Sequence, residues 1–283
     1  MMVMIIVALV VFGVCLGSFA NALVWRVHQQ AEEIEKKQPD GARLKDLSIT
    51  QGRSMCPHCN HELAAKDLIP VLSWLSLAGK CRYCRKKISI QYPIVEISTA
   101  LFFVGSYVWW PEPLIGIEIL AFGLWLTILT GLMALLVYDL KWYLLPNRIV
   151  YPLAVLAGLL AVVETVTADN PLRAVISTAL AVIIGGGIFY VLFQVSGGKW
   201  IGGGDVKLGW LLGLILATPA NSFLMIFIAA LLGSIVSVPL LLDKKLKRTS
   251  VIPFGPFLII AAVLVQLFGT SLVNWYQHTL LMI

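Results

Sequence analysis

Two aspartates stand where an apolar chain has least use for a charge. Asp205 belongs to the run Ile201-Gly202-Gly203-Gly204-Asp205-Val206-Lys207, between two long apolar segments, and Asp139 closes Leu136-Val137-Tyr138-Asp139 at the end of another. An Asp at the centre of a membrane helix costs about 2.5–3.5 kcal/mol on insertion scales, and less near an interface. A residue kept at that cost is a candidate for chemistry. The glycines before Asp205 carry no side chain, so backbone or substrate can come close to its carboxylate. Gly202, Gly204 and Lys207 are therefore candidate substrate-approach positions. Three readings of the pair stand side by side. It is structural, an ion pair with Lys141 or Lys207 or a helix cap. It is an aspartic protease dyad, in which one carboxylate activates water while the other, protonated, polarises the peptide carbonyl. Or it is the proton relay of a transporter. A phosphate loop is excluded, because no G-x-x-x-x-G-K-[ST] pattern is present.

A second cluster has metal-ligand spacing. Cys56-Pro57-His58-Cys59 is followed, 21 residues on, by Cys81-Arg82-Tyr83-Cys84. Two C-x-x-C knuckles at this separation suit four thiolates around a tetrahedral Zn²⁺, a structural site because no position is left open for water. A reducing cytosol disfavours the alternative of disulfides. His58 and His61 read as surface residues. Cys15, alone in the first apolar segment, reads as a small apolar residue packed between helices.

The elements that must carry these residues are apolar helices. The 283 residues are 59% hydrophobic and only 13% charged, about half the charge of a soluble domain, and the mean hydropathy is +0.89. The chain reads as an all-α polytopic membrane protein with about eight transmembrane helices and a small zinc-binding module after the first. Residues 1–26 form the first helix. With no positive n-region and no small-residue cleavage site, this segment is expected to stay in the membrane. Residues 27–92 form the polar module. It opens on Glu32-Glu33-Ile34-Glu35-Lys36-Lys37, a charged stretch that reads as a solvated insert, helical or disordered. Residues 93–283 form a seven-helix core with spans near 93–110, 114–138, 147–166, 172–195, 205–218, 221–242 and 254–280. The sixth, short and glycine-bearing, is expected to be tilted or incomplete.

Charge placement orients the chain. With both termini outside, the inside loops 26–92, 139–148, 196–207 and 243–250 hold twelve, two, two and four Lys or Arg, twenty of the twenty-one; only Arg173 falls outside. The net charge of +6 is thus a topology signal, with attraction to anionic membrane lipids and without a case for nucleic acid. This orientation puts Asp139 and Asp205 at the cytoplasmic ends of their helices. They can face each other only if spans three and six are neighbours.

Motifs along most of the chain resemble the type IV prepilin peptidases, Gly-x-Gly-Asp aspartic proteases of bacterial membranes. The resemblance is carried by Gly17-Ser18-Phe19-Ala20-Asn21, the paired knuckles, Ile69-Pro70-Val71-Leu72-Ser73-Trp74-Leu75 and Ile88-Ser89-Ile90-Gln91-Tyr92-Pro93-Ile94-Val95-Glu96. It continues through Asp139 with Leu144-Leu145-Pro146-Asn147, the Gly202–Lys207 run, and Ile252-Pro253-Phe254-Gly255-Pro256-Phe257. It implies an endopeptidase of the bacterial cytoplasmic membrane that cuts the basic leader from prepilins or pseudopilins, with Asp139 and Asp205 as its catalytic pair. It further implies N-methylation of the new N-terminal residue with S-adenosylmethionine, an activity of many members that carry the Cys tetrad. Two departures bear on auxiliary acids and substrate choice. Lys141, Trp142 and Asn147 stand where the family often has further acids, and the insert before Cys56 is long. Presenilin-like intramembrane proteases share the Tyr-Asp and Gly-x-Gly-Asp pairing, but their Pro-Ala-Leu signature is absent and the cysteine module points away from them.

Overall fold

A computed structural model describes residues 2–38, 40–242 and 252–280. They form ten α-helices, with no strand among the described residues beyond two isolated bridges. The basic segment 243–250, counted above as an inside loop, lies outside them. Packing divides the chain into two compact units, Met1–Val108 and Trp109–Ile283.

The first unit is built on α1 (Met2–Ile34) and α4 (Gln91–Val108). Inside lipid, association relies on close packing more than on hydrophobic burial, and these helices meet through small residues. A Cβ on Gly17 would lie 2.7 Å from the Glu96 Cα, and one on Gly13 would strike the Ala100 backbone. Cys15 does not share this face. It is exposed on α1, so the expectation of a packed thiol is corrected: two residues from Gly13 and Gly17, it points off the glycine stripe.

At 33 residues, α1 is about 50 Å long, well beyond the roughly 30 Å of a bilayer core. Its last turns organise the stretch read above as a solvated insert. Arg26, Gln30 and Glu33 recur on one helical face and are all buried. The Arg26 guanidinium donates to the carbonyls of Ser48 (2.8 Å), Ile49 (3.2 Å) and Gly52 (2.9 Å). Gln30 donates to the Leu47 carbonyl at 2.9 Å. Glu33 pairs with Lys36 (2.6 Å) and Arg43 (3.3 Å) and accepts the Asp40 N–H. The insert, including α2 (Gly41–Asp46), is a docked loop, because a buried acid and a buried guanidinium must be satisfied by something and 40–52 supplies it.

The second unit holds α5 (Glu118–Trp142), α6 (Asn147–Thr167), α7 (Pro171–Ser196), α8 (Gly203–Leu216), α9 (Pro219–Leu242) and α10 (Gly255–Leu280). Helices α1, α5, α6, α7, α9 and α10 are long and apolar enough to cross a membrane. The other two segments counted toward eight spans, α4 and α8, fall short of that criterion. Helix α4 opens on Gln91 and carries the buried acid Glu96; α8 has 14 residues, about 21 Å of rise. Being short, α8 is held by its neighbours instead of by lipid. It packs against α6, α7, α9 and α10, and beyond Lys207 it is apolar all round, as a helix inside a bundle must be. Against α7 the fit is backbone to backbone. A Cβ on Gly185 would lie 2.7 Å from the Gly209 carbonyl, and one on Gly213 2.6 Å from the Ala181 carbonyl.

Candidate functional site

The two acids sit at helix ends that the sequence terminates for identifiable reasons. Helix α5 stops at Tyr143, which adopts the left-handed region (φ 56°) and donates its N–H to the Asp139 carbonyl at 2.9 Å. Asp139 therefore occupies the last turn of α5, and Pro146 then sets the extended entry to α6. Helix α8 starts from Gly202, and Asp205 lies in its first turn with its N–H on the Gly202 carbonyl at 3.1 Å. An acid there is favoured by the positive end of the helix dipole.

The structure brings these ends together. Lys207 Nζ donates to Asn147 Oδ1 at 2.9 Å, and Gly204 lies against Leu145. Yet α5 and α8 barely touch. Helices α6 and α10 pack against both, so the convergence of these ends does not require α5 and α8 to be packed neighbours.

Asp139 is 5% exposed, and its Oδ2 is buried with no hydrogen-bond partner among the described residues. Gly255, at the start of α10, closes over that oxygen: a Cβ there would lie 2.5 Å from Oδ2 and 3.5 Å from Leu208 Cδ2, one turn beyond Asp205. Sequence reasoning quoted Gly255 within a motif and gave it no role. Of the structural reading, the capping form fits Asp205, which lies in the first turn of α8, but the ion-pair form finds no support. Among the described residues neither aspartate is in a salt bridge; Lys207 is engaged by Asn147, and Lys141 lies 5.3 Å over the Trp142 ring.

The glycines divide the approach. A side chain at Gly204 would meet Leu145 at 3.4 Å, whereas one at Gly202, which is exposed, would meet only its own turn, with Asp205 Oδ2 3.8 Å away. Of the two glycines, Gly202 is the one with open space beside the Asp205 carboxylate.

Cys56, Cys59, Cys81 and Cys84 bring their sulfurs within 4.8 Å of one another. The two knuckles are copies of one local design. Cys56 N–H donates to the His61 carbonyl at 3.0 Å and Cys81 N–H to the Lys86 carbonyl at 2.9 Å; Asn60 (φ 54°) and Arg85 (φ 58°) make the same left-handed turn after the second cysteine. Burial pushes the Cys56 thiol up to about 12. At Cys81 burial pushes the same way, but the Cys84 and Tyr83 N–H groups outweigh it and bring the thiol down to about 7. A divalent cation binding here would displace the thiol protons. All four sulfurs suit a tetrahedral metal. His58 is exposed and His61 stacks on Tyr83 at 3.7 Å; neither belongs to the cluster.

A multi-pass helical membrane protein with a four-cysteine module and a carboxylate pair at converging helix ends is the class that fold and site define. Residues 11–110 match the bacterial peptidase A24 N-terminal domain and residues 126–238 the type IV leader peptidase family. The chain is 34% identical over 282 residues to the prepilin leader peptidase/N-methyltransferase of Aeromonas salmonicida (strain A449), covering 95% of this chain and 93% of that protein. It is 33% identical over 260 residues to the type 4 prepilin-like proteins leader peptide-processing enzyme of Escherichia coli O78:H11, covering 89% of each. The chain belongs to the type IV leader peptidase family. No solved structure matches it.

Proposed function

We propose that this protein is a membrane aspartic endopeptidase that removes the basic leader of type IV prepilins or pseudopilins and then N-methylates the exposed residue. The observation that carries the reading is the meeting of Asp139 and Asp205 at one end of the bundle, in a chain of this family. One carboxylate takes a proton from water, whose oxygen bonds to the scissile carbonyl carbon. The other, protonated, donates to the carbonyl oxygen. The C–N bond then breaks, and a proton passes to the leaving amine. The products are the leader carboxylic acid and a mature chain with a free N-terminal amine.

S-adenosylmethionine, when bound, supplies the methyl group to that amine. A cleft of about 320 Å³ in the first unit, lined by Trp25, Arg43, Asp46, Arg53 and Glu62 among others, has a donor set that fits such a molecule. A ring there would stack on the base, Asp46 would meet a ribose hydroxyl or the ammonium, and a guanidinium would meet the carboxylate on leaving its present partner, Glu62 for Arg53 (2.8 Å) and Glu33 for Arg43 (3.3 Å). Purified protein incubated with a prepilin, with and without S-adenosylmethionine, is read by intact mass. Loss of the leader followed by gain of one methyl is expected, and retention of the leader refutes the peptidase. Titration calorimetry with S-adenosylmethionine gives a readout of binding independent of cleavage.

The orientation follows the positive-inside count: termini outside, cysteine module and both acids on the cytoplasmic side of the inner membrane. A prepilin presents its scissile bond where a cytosolic leader meets an apolar helix, so acids at the cytoplasmic edge match it. Single cysteines at 139 and 205, in a background without native cysteines, are expected to react only from the cytoplasmic side. Labelling of either from outside would reverse the assignment.

The four thiolates are assigned to structural Zn²⁺, in a module proposed to be functionally distinct from the catalytic helices. About one zinc per chain is expected by elemental analysis, and Cys56→Ser lowers it. Unchanged zinc in a variant lacking all four cysteines would remove the site.

A side chain at Gly202 narrows the open space beside the Asp205 carboxylate. Gly202→Val is expected to lower cleavage by roughly tenfold or more and to leave thermal stability near native; the milder Gly202→Ala retains more activity. Gly204→Val also impairs cleavage, through Leu145. Full activity in Gly202→Val would show that substrate arrives elsewhere.

A further inference from the structure

The exposed apolar residues of the first unit follow a pattern. Helix α4 buries Glu96, Thr99, Ala100 and Phe103, while Ile94, Ile97 and Leu101 are exposed along the opposite face, at helical spacing. That face is an exposed apolar stripe, and Ile90 extends it by one turn. Ile90, just before α4, is 61% exposed. In the five-residue helix α3 (Leu72–Ser76), Leu72 is 63% and Leu75 is 59% exposed, and Ile69 just before it is 48% exposed.

Helix α3 is tied to α4. The Val71 N–H donates to Glu96 Oε2 at 2.7 Å, and the Trp74 indole donates to the Ile88 carbonyl at 3.2 Å. Val71 itself has φ 60° and ψ −51°, disfavoured for a β-branched residue at a cost of about 1–3 kcal/mol. The chain accepts this cost and holds α3 with its leucines outward. Between Lys66 and Lys87 the sequence carries six Lys or Arg against a single acid, Asp67. That acid is already engaged by Arg82 (2.7 Å) and Tyr83 (3.1 Å). Exposed aliphatic side chains among cations that outnumber the acids are the composition of a segment lying in a membrane interface.

We propose that α3 and its flanks dock on an anionic bilayer surface, with Ile69, Leu72 and Leu75 at the acyl boundary and the neighbouring lysines and arginines among the headgroups. The attachment of α3 to α4, which packs along the membrane-length helix α1, favours lipid over a protein partner. This inference does not depend on the peptidase reading.

The test uses the full-length protein in vesicles of phosphatidylcholine and phosphatidylglycerol. An environment-sensitive fluorescent amino acid is placed at 72 or 75 and, as the water reference, at the exposed position 37. Iodide quenching at 72 and 75 is expected to be at least about threefold weaker than at 37, and quenching by lipids spin-labelled near the headgroup stronger. Unchanged zinc content reports an intact module. Equal iodide quenching at the three positions overturns the proposal. So does protection that appears only after a prepilin is added, which assigns the face to substrate. Omitting phosphatidylglycerol is expected to raise iodide quenching at 72 and 75, and indifference to it overturns the role given to the cations.

Discussion

Asp139→Asn and Asp205→Asn each lower prepilin cleavage by at least about 10³-fold, while expression, membrane insertion and helix content stay native. The asymmetry between function and stability follows from the site. Asp139 is buried with Oδ2 unpartnered, and neither acid is in an ion pair among the described residues. Asparagine keeps the volume and removes an ionisable group from a poorly solvated position, so the fold loses no ion pair and escapes a desolvation cost. What asparagine cannot do is take a proton from water or carry one to a carbonyl oxygen. The check is leader loss by intact mass at high enzyme, beside a thermal melt of each variant. Cleavage within tenfold of native in either variant would take that residue out of the mechanism, and a melt that collapses in both would revive a structural role for the pair.

The carboxylates and the thiolates were legible because each violates its surroundings. An acid after three glycines in an apolar chain, or four cysteines in paired knuckles, has few bland explanations. Where a residue obeys its surroundings the sequence is mute. Arg26 and Glu33 look like the charges that end any membrane helix, and only the folded loop at 40–52 shows that they are buried anchors. The hydropathy of 93–110 resembles that of its neighbours, but the contacts of Gly13 and Gly17 assign it to α1 as partner. The short span was expected to be tilted or incomplete, and α8 has 14 residues. What could not be read was that α6 and α10 bridge α5 and α8, since one-dimensional patterns carry no information on which apolar helix lies beside which.

Gly255 is the residue whose importance is purely three-dimensional, and Gly255→Ala is expected to be nearly silent in stability and severe in activity. Its φ lies outside the left-handed region, so alanine fits the backbone. The added Cβ would lie 2.5 Å from Asp139 Oδ2, closer than any real contact, and the atom best able to yield is that carboxylate, the free end of a side chain. The clash is therefore relieved cheaply by turning Asp139 away. A catalytic group displaced by about 1 Å costs roughly a hundredfold in rate, whereas a rotated side chain costs the fold about 1 kcal/mol. Gly233→Ala is the matched control. A Cβ there would meet only Phe254 and Phe257, at 3.6 Å or more, and it should leave both readouts unchanged. The measurement is kcat/KM on a prepilin beside a thermal melt for the two variants. If Gly255→Ala cleaves at the native rate, Asp139 tolerates displacement, and this glycine does not position it.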